Sequence, residues 1–287
     1  MIVKKTAGVF ALLLALGFSA WAQAPKKVRD LPSHNLQDFS WMRLAEVVPE
    51  VTDRVILPMG TVEPHGACVL GTDNHIPAHL ADLMWDRLNA LVAPAINHGV
   101  TGASISQFPG AITVRPEVFE EYVYDVLKHL VRTGFLNILI LNGHGGNTDP
   151  VKKAMTRIHA ETAAHLMVVD WWTIAFNIVK DVYGAPAQQS GHGDMEEAAL
   201  VLAFDPKLVD REMYEKLGKD NIGSAGTEAG FFMLPSWATS RYPAKGLGYL
   251  DFDTTKAKAY AEKKAAVIAD TFLEAVKRWE MMEGWKK

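Results

Sequence analysis

Three short stretches of the chain carry side chains able to act together on a substrate. The first is Gly60-Thr61-Val62-Glu63-Pro64-His65-Gly66, closely followed by Gly71-Thr72-Asp73-Asn74-His75. Pro64 biases Glu63 towards extended backbone, and residues i and i+2 of an extended chain point the same way. Glu63 and His65 can therefore face one point. With Asp73 they form a set of hard oxygens and borderline nitrogen suited to Zn²⁺, Mn²⁺ or Fe²⁺. Read alone, the same loop is also compatible with an acidic turn that binds nothing.

The second stretch, Asn142-Gly143-His144-Gly145-Gly146-Asn147, places a histidine between glycines directly after an apolar run. Parallel α/β sheets gather ligands at the carboxyl ends of their strands, so His144 is a candidate for metal or substrate contact. The lysine and hydroxyl spacing of a phosphate-binding P-loop is missing. The third stretch is Ser190-Gly191-His192-Gly193-Asp194-Met195-Glu196-Glu197. Glu197 shares a helix face with Leu200, Val201 and Phe204, and a carboxylate on an apolar stripe is costly unless paired or bound to metal. Glu196 is its exposed competitor. Acids at a helix start also serve as plain complements to the helix dipole. His192, just outside that helix, is the candidate general acid or base, because imidazole titrates near neutral pH.

These loops must hang on regular elements, and the apolar patterning supplies them. Arg54–Met59, Phe135–Leu141 and Leu166–Asp170 read as buried strands. Pro116–Thr133 carries an i, i+3, i+4 stripe, with Pro116 in the first turn and Gly134 as C-terminal cap. Further helices are expected over His75–Leu91, Asp149–His165, Met195–Phe204 and Thr255–Met282. Strand and helix alternate, which predicts a three-layer α/β/α sandwich around a mostly parallel sheet. Residues 218–250, rich in Gly, Ser and Pro, read as long loops able to cover a pocket.

The chain has 287 residues, 49% of them hydrophobic and 22% charged, which excludes a disordered or fibrous protein. Its 29 basic and 33 acidic residues include no long basic run, so neither nucleic acid nor an anionic membrane is an expected partner. A small-molecule substrate is. A single cysteine, Cys68, cannot form an internal disulfide. At the N-terminus Lys4 and Lys5 precede an apolar run from Ala7 to Phe18, and Ala20-Trp21-Ala22 gives a small-x-small cleavage site. Residues 1–22 are therefore expected to be a signal peptide, leaving 23–287 as one periplasmic domain with no membrane association after cleavage.

The ordered set Glu63-x-His65-Gly66, Thr72-Asp73, Phe108-Pro109-Gly110, Asn142 to Asn147, Asp170-Trp171-Trp172 and His192 to Glu197 resembles the creatininase (creatinine amidohydrolase) family. The resemblance implies an α/β/α fold, two divalent metal ions per subunit and hydrolysis of the C–N bond of a small, often cyclic amide by metal-activated water. Zinc comes first, with manganese or iron as alternatives. Glu63, His65, Asp73 and His144 match ligand positions, Asp73 being the one shared by both ions. Gly146 stands where creatininase proper has a glutamate ligand. This resembles the wider branch, in which the glutamate at Glu197 supplies the missing ligand, and it turns the expected substrate away from creatinine.

Two other departures are a Glu63–Asp73 segment one residue short and Ser104-Ile105-Ser106-Gln107 in place of the usual Glu-His pair. Trp171 and Trp172 resemble residues at the pocket mouth, and Cys68 is a further candidate for lining the pocket. The family also implies a homo-oligomer, often a hexamer. The rival readings are a periplasmic metal-binding protein without turnover and a dinuclear phosphoesterase.

Overall fold

A computed structural model describes residues 26–103, 105–174, 177–184, 192–220 and 250–285 of the chain. In chain order its main elements are α1 (Trp41–Val47), β1 (Arg54–Met59), α2 (Thr72–Leu88), β2 (Leu91–Val92), α3 (Pro116–Thr133), β3 (Asn137–Asn142), α4 (Thr148–Glu161), β4 (His165–Asp170), α5 (Asn177–Tyr183), α6 (Met195–Phe204), α7 (Arg211–Asp220) and α8 (Thr254–Trp285). The sheet runs in the order β2-β1-β3-β4, and every pairing is parallel. Parallel neighbours require crossovers, which α2, α3 and α4 provide.

Alternation along the strands divides the apolar interior in two. Ile56, Leu139, Leu141 and Val169 point into one cluster, formed with α2, α5, α6 and α8. Val55, Leu57, Met59, Ile138 and Ile140 point into the other, with α3 and α4. Because both faces are covered, β1 and β3 are continuous apolar runs rather than alternating ones. The three-layer sandwich expected from the sequence is the fold observed.

Element by element the agreement is close. The structure reproduces β1, α3 and α6 with the expected bounds. Gly134 ends α3 at φ 113° and donates its N–H to the carbonyls of Leu130 and Val131. Helix α2 begins at Thr72 and ends at Leu88, three residues earlier than expected at each end. The two-residue β2, α1 and α5 were not foreseen, since each is too short to show a period. Residues 218–220, expected to be loop, belong to α7 instead; residues 221–249 lie outside the described set, as does the expected signal peptide. Among the described residues no helix is long and apolar enough to cross a membrane.

What the fold does for the site is set by register. Met59 pairs with Asn142, and Asn142 with Asp170, so β1, β3 and β4 end level with one another. The loops after them leave from one edge, and the first turn of α2 lies across it. A Cβ on Gly60 would stand 2.1 Å from the Asp73 carbonyl oxygen, and one on Gly143 only 2.0 Å from it. Both glycines are required by this close approach rather than by a turn. Pro77, inside α2, has no N–H to offer that carbonyl, and its ring also packs against Gly143. Gly143→Ala is therefore expected to push the start of α2 off the sheet edge. It should destabilise the protein by about 1–3 kcal/mol, as overpacking does, seen as a lower calorimetric Tm. An unchanged Tm would show that the Asp73 backbone is not clamped there.

Candidate metal centre

Glu63 and His65 follow β1, Asp73 lies in the first turn of α2, His144 follows β3, His192 precedes α6 and Glu197 sits in its first turn. All six side chains meet at the carboxyl edge of the sheet. Asp73 Oδ1 is 2.9 Å from His65 Nε2, and Asp73 Oδ2 is 2.9 Å from His144 Nδ1. Glu197 Oε2 approaches His65 Nε2 at 3.6 Å, while Glu63 Oε1 lies 3.1 Å from His144 Nδ1 and 3.3 Å from His192 Nδ1. Ligand atoms of Glu63, Asp73 and His144 fall within 4.8 Å of one another, and so do those of His65, Asp73 and Glu197. A third such trio is Glu63, His65 and His192.

The orientation of the imidazoles is the informative feature. His65 Nδ1 bonds to the carbonyl of Glu63 at 2.9 Å, His144 Nε2 to that of Val100 at 2.8 Å, and His192 Nε2 to that of Pro64 at 2.7 Å. A carbonyl only accepts, so each of these nitrogens carries the proton. The opposite nitrogen of each ring faces the carboxylates. Metal-binding histidines are held in this way, with one N–H on a main-chain acceptor and the other nitrogen free for the ion. Glu63 Oε1 and Oε2 and Asp73 Oδ2 are buried without a hydrogen-bond partner among the described residues, although ring nitrogens stand close by. Buried carboxylates without such bonds are costly, and a divalent cation at their focus would remove that cost. The donor set, three carboxylates and imidazoles, fits zinc or manganese.

Burial also sets the proton affinities of the metal-free chain. Alone it would lower His65, but Asp73, Glu197 and Glu63 outweigh it and push the ring up to about 10. Burial would raise Asp73, yet the adjacent imidazoles of His65 and His144 hold its carboxyl well below the usual range. His144 is raised by Asp73 and Glu63 against its own desolvation. Burial lifts Glu197 to about 7 despite the pull of His65. His192 goes the other way, to about 4, through burial and the proximity of His65.

Two supports hold the His144 loop. Asn142 Oδ1 accepts from His144 N at 3.1 Å, and its Nδ2 donates to the His144 carbonyl and to Asp170 Oδ1, each at 2.7 Å. Asn147 Nδ2 donates to the Gly60 carbonyl at 3.0 Å, while its Oδ1 accepts from Val100 N at 2.9 Å. Asn147 thus ties the loops after β1 and β3 to the Val100 segment that orients His144. A Cβ on Gly146 would stand 1.9 Å from the Val100 carbonyl oxygen and 2.7 Å from His144 Nε2. No side chain fits there, and the carboxylate facing His65 comes from α6 instead.

Glu197 accepts from the Gly193 N–H, a glycine at φ 63°. Glu196, expected to be exposed, is buried as well, because α6 is enclosed all round.

The remaining candidates separate. Trp172 is half-buried and packs beside the His144 loop, where a Cβ on Gly145 would lie 3.8 Å from its ring. Trp171 is 1% exposed and belongs to the apolar cluster, not to a pocket mouth. Cys68 is likewise buried in that cluster, and its main-chain N–H donates to the His65 carbonyl at 3.0 Å. His75 and His79 rest against Phe204, away from the six-residue cluster. The sequence reading passed over Lys264 and Tyr260, which contact Glu196. Lys264 carried a signal, since it interrupts the apolar stripe of Ala257, Ala261, Ala265 and Ile268 in α8.

The sequence profile of the creatininase family, described as creatinine amidohydrolase, matches residues 37–277. The chain belongs to the creatininase family. It is 25% identical over 171 residues to creatinine amidohydrolase of Pseudomonas putida, covering 54% of this chain and 66% of that one. It is 31% identical over 168 residues to 3-dehydro-scyllo-inosose hydrolase of Thermotoga maritima, covering 56% and 53%. Each of these matches spans less than two thirds of the relative. A mycofactocin precursor peptide peptidase of Mycobacterium tuberculosis is 24% identical over 248 residues, covering 81% and 88%. The fold matches that of a manganese form of creatininase with TM-score 0.70 at 21% identity, covering 85% of this chain and 98% of that chain. A Zn-Zn form of a creatininase mutant gives 0.68 at 20% identity, covering 85% and 99%.

A pH dependence of opposite sign in two measurements follows from the histidines. Folding raises His65 from 6.5 to about 10, so its contribution to the stability of the metal-free protein is full below 6.5 and disappears as pH rises through 10. His144 acts in the same direction. A metal must displace these protons, so its affinity grows over the same interval. Between pH 7 and 10, Tm of the metal-free protein should fall while Zn²⁺ affinity, measured by chelator competition, should rise. Zn²⁺ affinity independent of pH would place the ion away from these rings.

Proposed function

We propose that this creatininase-family protein is a metal-dependent amidohydrolase that cleaves the C–N bond of a small linear or cyclic amide with the help of two divalent cations, zinc by preference and manganese or iron as alternatives. One observation carries the reading: Asp73 offers its two oxygens to different imidazoles and so belongs to two overlapping ligand trios at once. Glu63 and His144 would hold one cation, His65 and Glu197 the other, and Asp73 both. When bound, such a pair supplies an activated water and a Lewis acid for the amide carbonyl.

The rest of the chemistry falls to the chain's own groups. His192 is 23% exposed at its side chain, the most open of the six. Held near neutral pH as an uncharged ring, with Nε2–H on the Pro64 carbonyl, it has Nδ1 available to take up a proton and deliver it to the departing nitrogen. The half-buried Trp172, beside the His144 loop, supplies an apolar wall for substrate. Gly146 removes a side chain from the His144 loop, which favours an amide other than creatinine.

The relatives differ in their named substrates: creatinine, an inosose and a peptide precursor. The test is therefore metal analysis of the purified protein with a panel of lactams, cyclic ureas, formamides, short peptides and an inosose. Hydrolysis of an amide in the panel supports the reading. Bound metal without turnover would favour a metal-binding protein, and turnover of nitrophenyl phosphate a phosphoesterase. The family match over residues 37–277 supports one catalytic unit in 23–287. Export to the periplasm after loss of residues 1–22 and assembly into a homo-oligomer are part of the proposal, checked by mature mass and light scattering.

Two variants separate the roles. Asp73→Asn should strip both cations, as read by elemental analysis, while circular dichroism stays that of a folded α/β protein. His192→Ala should keep its metal and lose about 10² to 10⁴-fold in turnover, the range of a general acid. Loss of metal in that variant would make His192 Nδ1 a ligand instead.

A further inference from the structure

Glu196 and Glu197 are neighbours on the first turn of α6, both buried, and they face different ways. Glu197 turns to His65. Glu196 turns to α8, where its Oε2 accepts from the Tyr260 hydroxyl and stands 3.6 Å from Lys264 Nζ. Lys264 is fully buried, donates to the Ile174 carbonyl at 2.7 Å, and has its ammonium 5.5 Å from the Trp171 ring centre. One cation thus joins α8, the first turn of α6 and the segment that follows β4.

Consecutive helical residues differ by roughly 100° around the axis, so the rotational setting of α6 decides which of the two carboxylates faces the metal centre. Because the helix is enclosed on every side, the burial of its apolar residues does not by itself mark one of the two carboxylates as the one to face the site. Asp194 caps Glu196 N and Glu197 N alike and does not choose between them either. Whichever carboxylate is not a ligand lies buried and needs a counter-charge. On the side of α6 turned away from His65, Lys264 provides it.

We infer that Lys264, assisted by Tyr260, is a positioning residue of the metal centre: by holding Glu196 on the α8 side it selects Glu197 as the ligand and anchors the Trp171–Ile174 segment to the same point. This rests on the metal-centre reading above. Without Lys264, Glu196 keeps only the Tyr260 hydroxyl of the two partners and competes with Glu197 for the metal centre.

The test uses the full chain, stripped of metal and titrated with Zn²⁺ against a chromophoric chelator, with Tm recorded alongside. Lys264→Met should weaken Zn²⁺ binding by about 10 to 100-fold, the usual effect of losing a group that orients a ligand. Tyr260→Phe should weaken it in the same direction but less. The double variant Lys264→Met/Glu196→Gln removes the competing carboxylate together with its partner and should return the affinity to within about threefold of wild type, the non-additivity expected of a direct pair. A role in packing alone would lower Tm in both lysine variants without that recovery. Glu197→Gln is the control for the site itself.

If Glu197→Gln loses Zn²⁺ while Lys264→Met retains wild-type affinity, the selection by Lys264 is wrong and the metal centre stands. If the wild-type chain takes up no Zn²⁺ or Mn²⁺, both fall together. Should Lys264→Met not fold, the other two variants decide. Wild-type affinity in Tyr260→Phe, or a double variant folded but still weak, overturns the inference.

Discussion

Three carboxylates and three imidazoles share a buried space at the edge of the sheet, and most of the architecture around them serves to make that tolerable. Asp73 is the hinge of the arrangement. Its oxygens face His65 and His144 separately, and its own main chain lies against the two glycines that follow β1 and β3. Were either strand shifted by one residue, a side chain would stand where the Asp73 carbonyl lies. The level strand ends, the glycines and the early start of α2 are consequences of one close approach.

Orientation of the imidazoles is then a matter of main-chain acceptors. Each histidine spends one ring nitrogen on a carbonyl, those of Glu63, Val100 and Pro64, and is left with the other aimed inwards. The main-chain N–H of Val100 is in turn held by Asn147 Oδ1, and the Asn147 amide also grips the loop after β1. Strand order therefore reaches the centre through a chain of hydrogen bonds rather than through contact of the strands with the ligands. The same economy explains Gly146: the space beside His144 belongs to the Val100 carbonyl, so the carboxylate opposite His65 has to come from another element.

That element, α6, brings a problem of its own. It is enclosed on all sides and carries two adjacent carboxylates, so the pattern of apolar residues does not tell which of them turns to His65. Through Glu196, which contacts Lys264 and Tyr260, the C-terminal helix reaches an element that also contributes Glu197 to the cluster.

Much of this could be read from residue order. The alternation of apolar runs and helical stripes foretold the layered parallel sheet, because the unbroken apolar runs of β1 and β3 and the stripe of α3 are visible locally. Glu63, His65, Asp73, His144, His192 and Glu197 stood out because acids and imidazoles at strand ends or on apolar stripes are costly without a purpose. What residue order left open were matters of direction. Trp171 and Trp172 are chemically alike, yet one is core and the other lies beside the His144 loop; Glu196 and Glu197 are alike, yet one meets α8 and the other His65. The carbonyls that orient the histidines carry no sequence signal at all, since every residue has one. Residue types and local periods determined which groups were available and which elements would carry them. Only tertiary packing decided which way each group turns, because that depends on partners brought near by the sheet register and by α8, far along the chain.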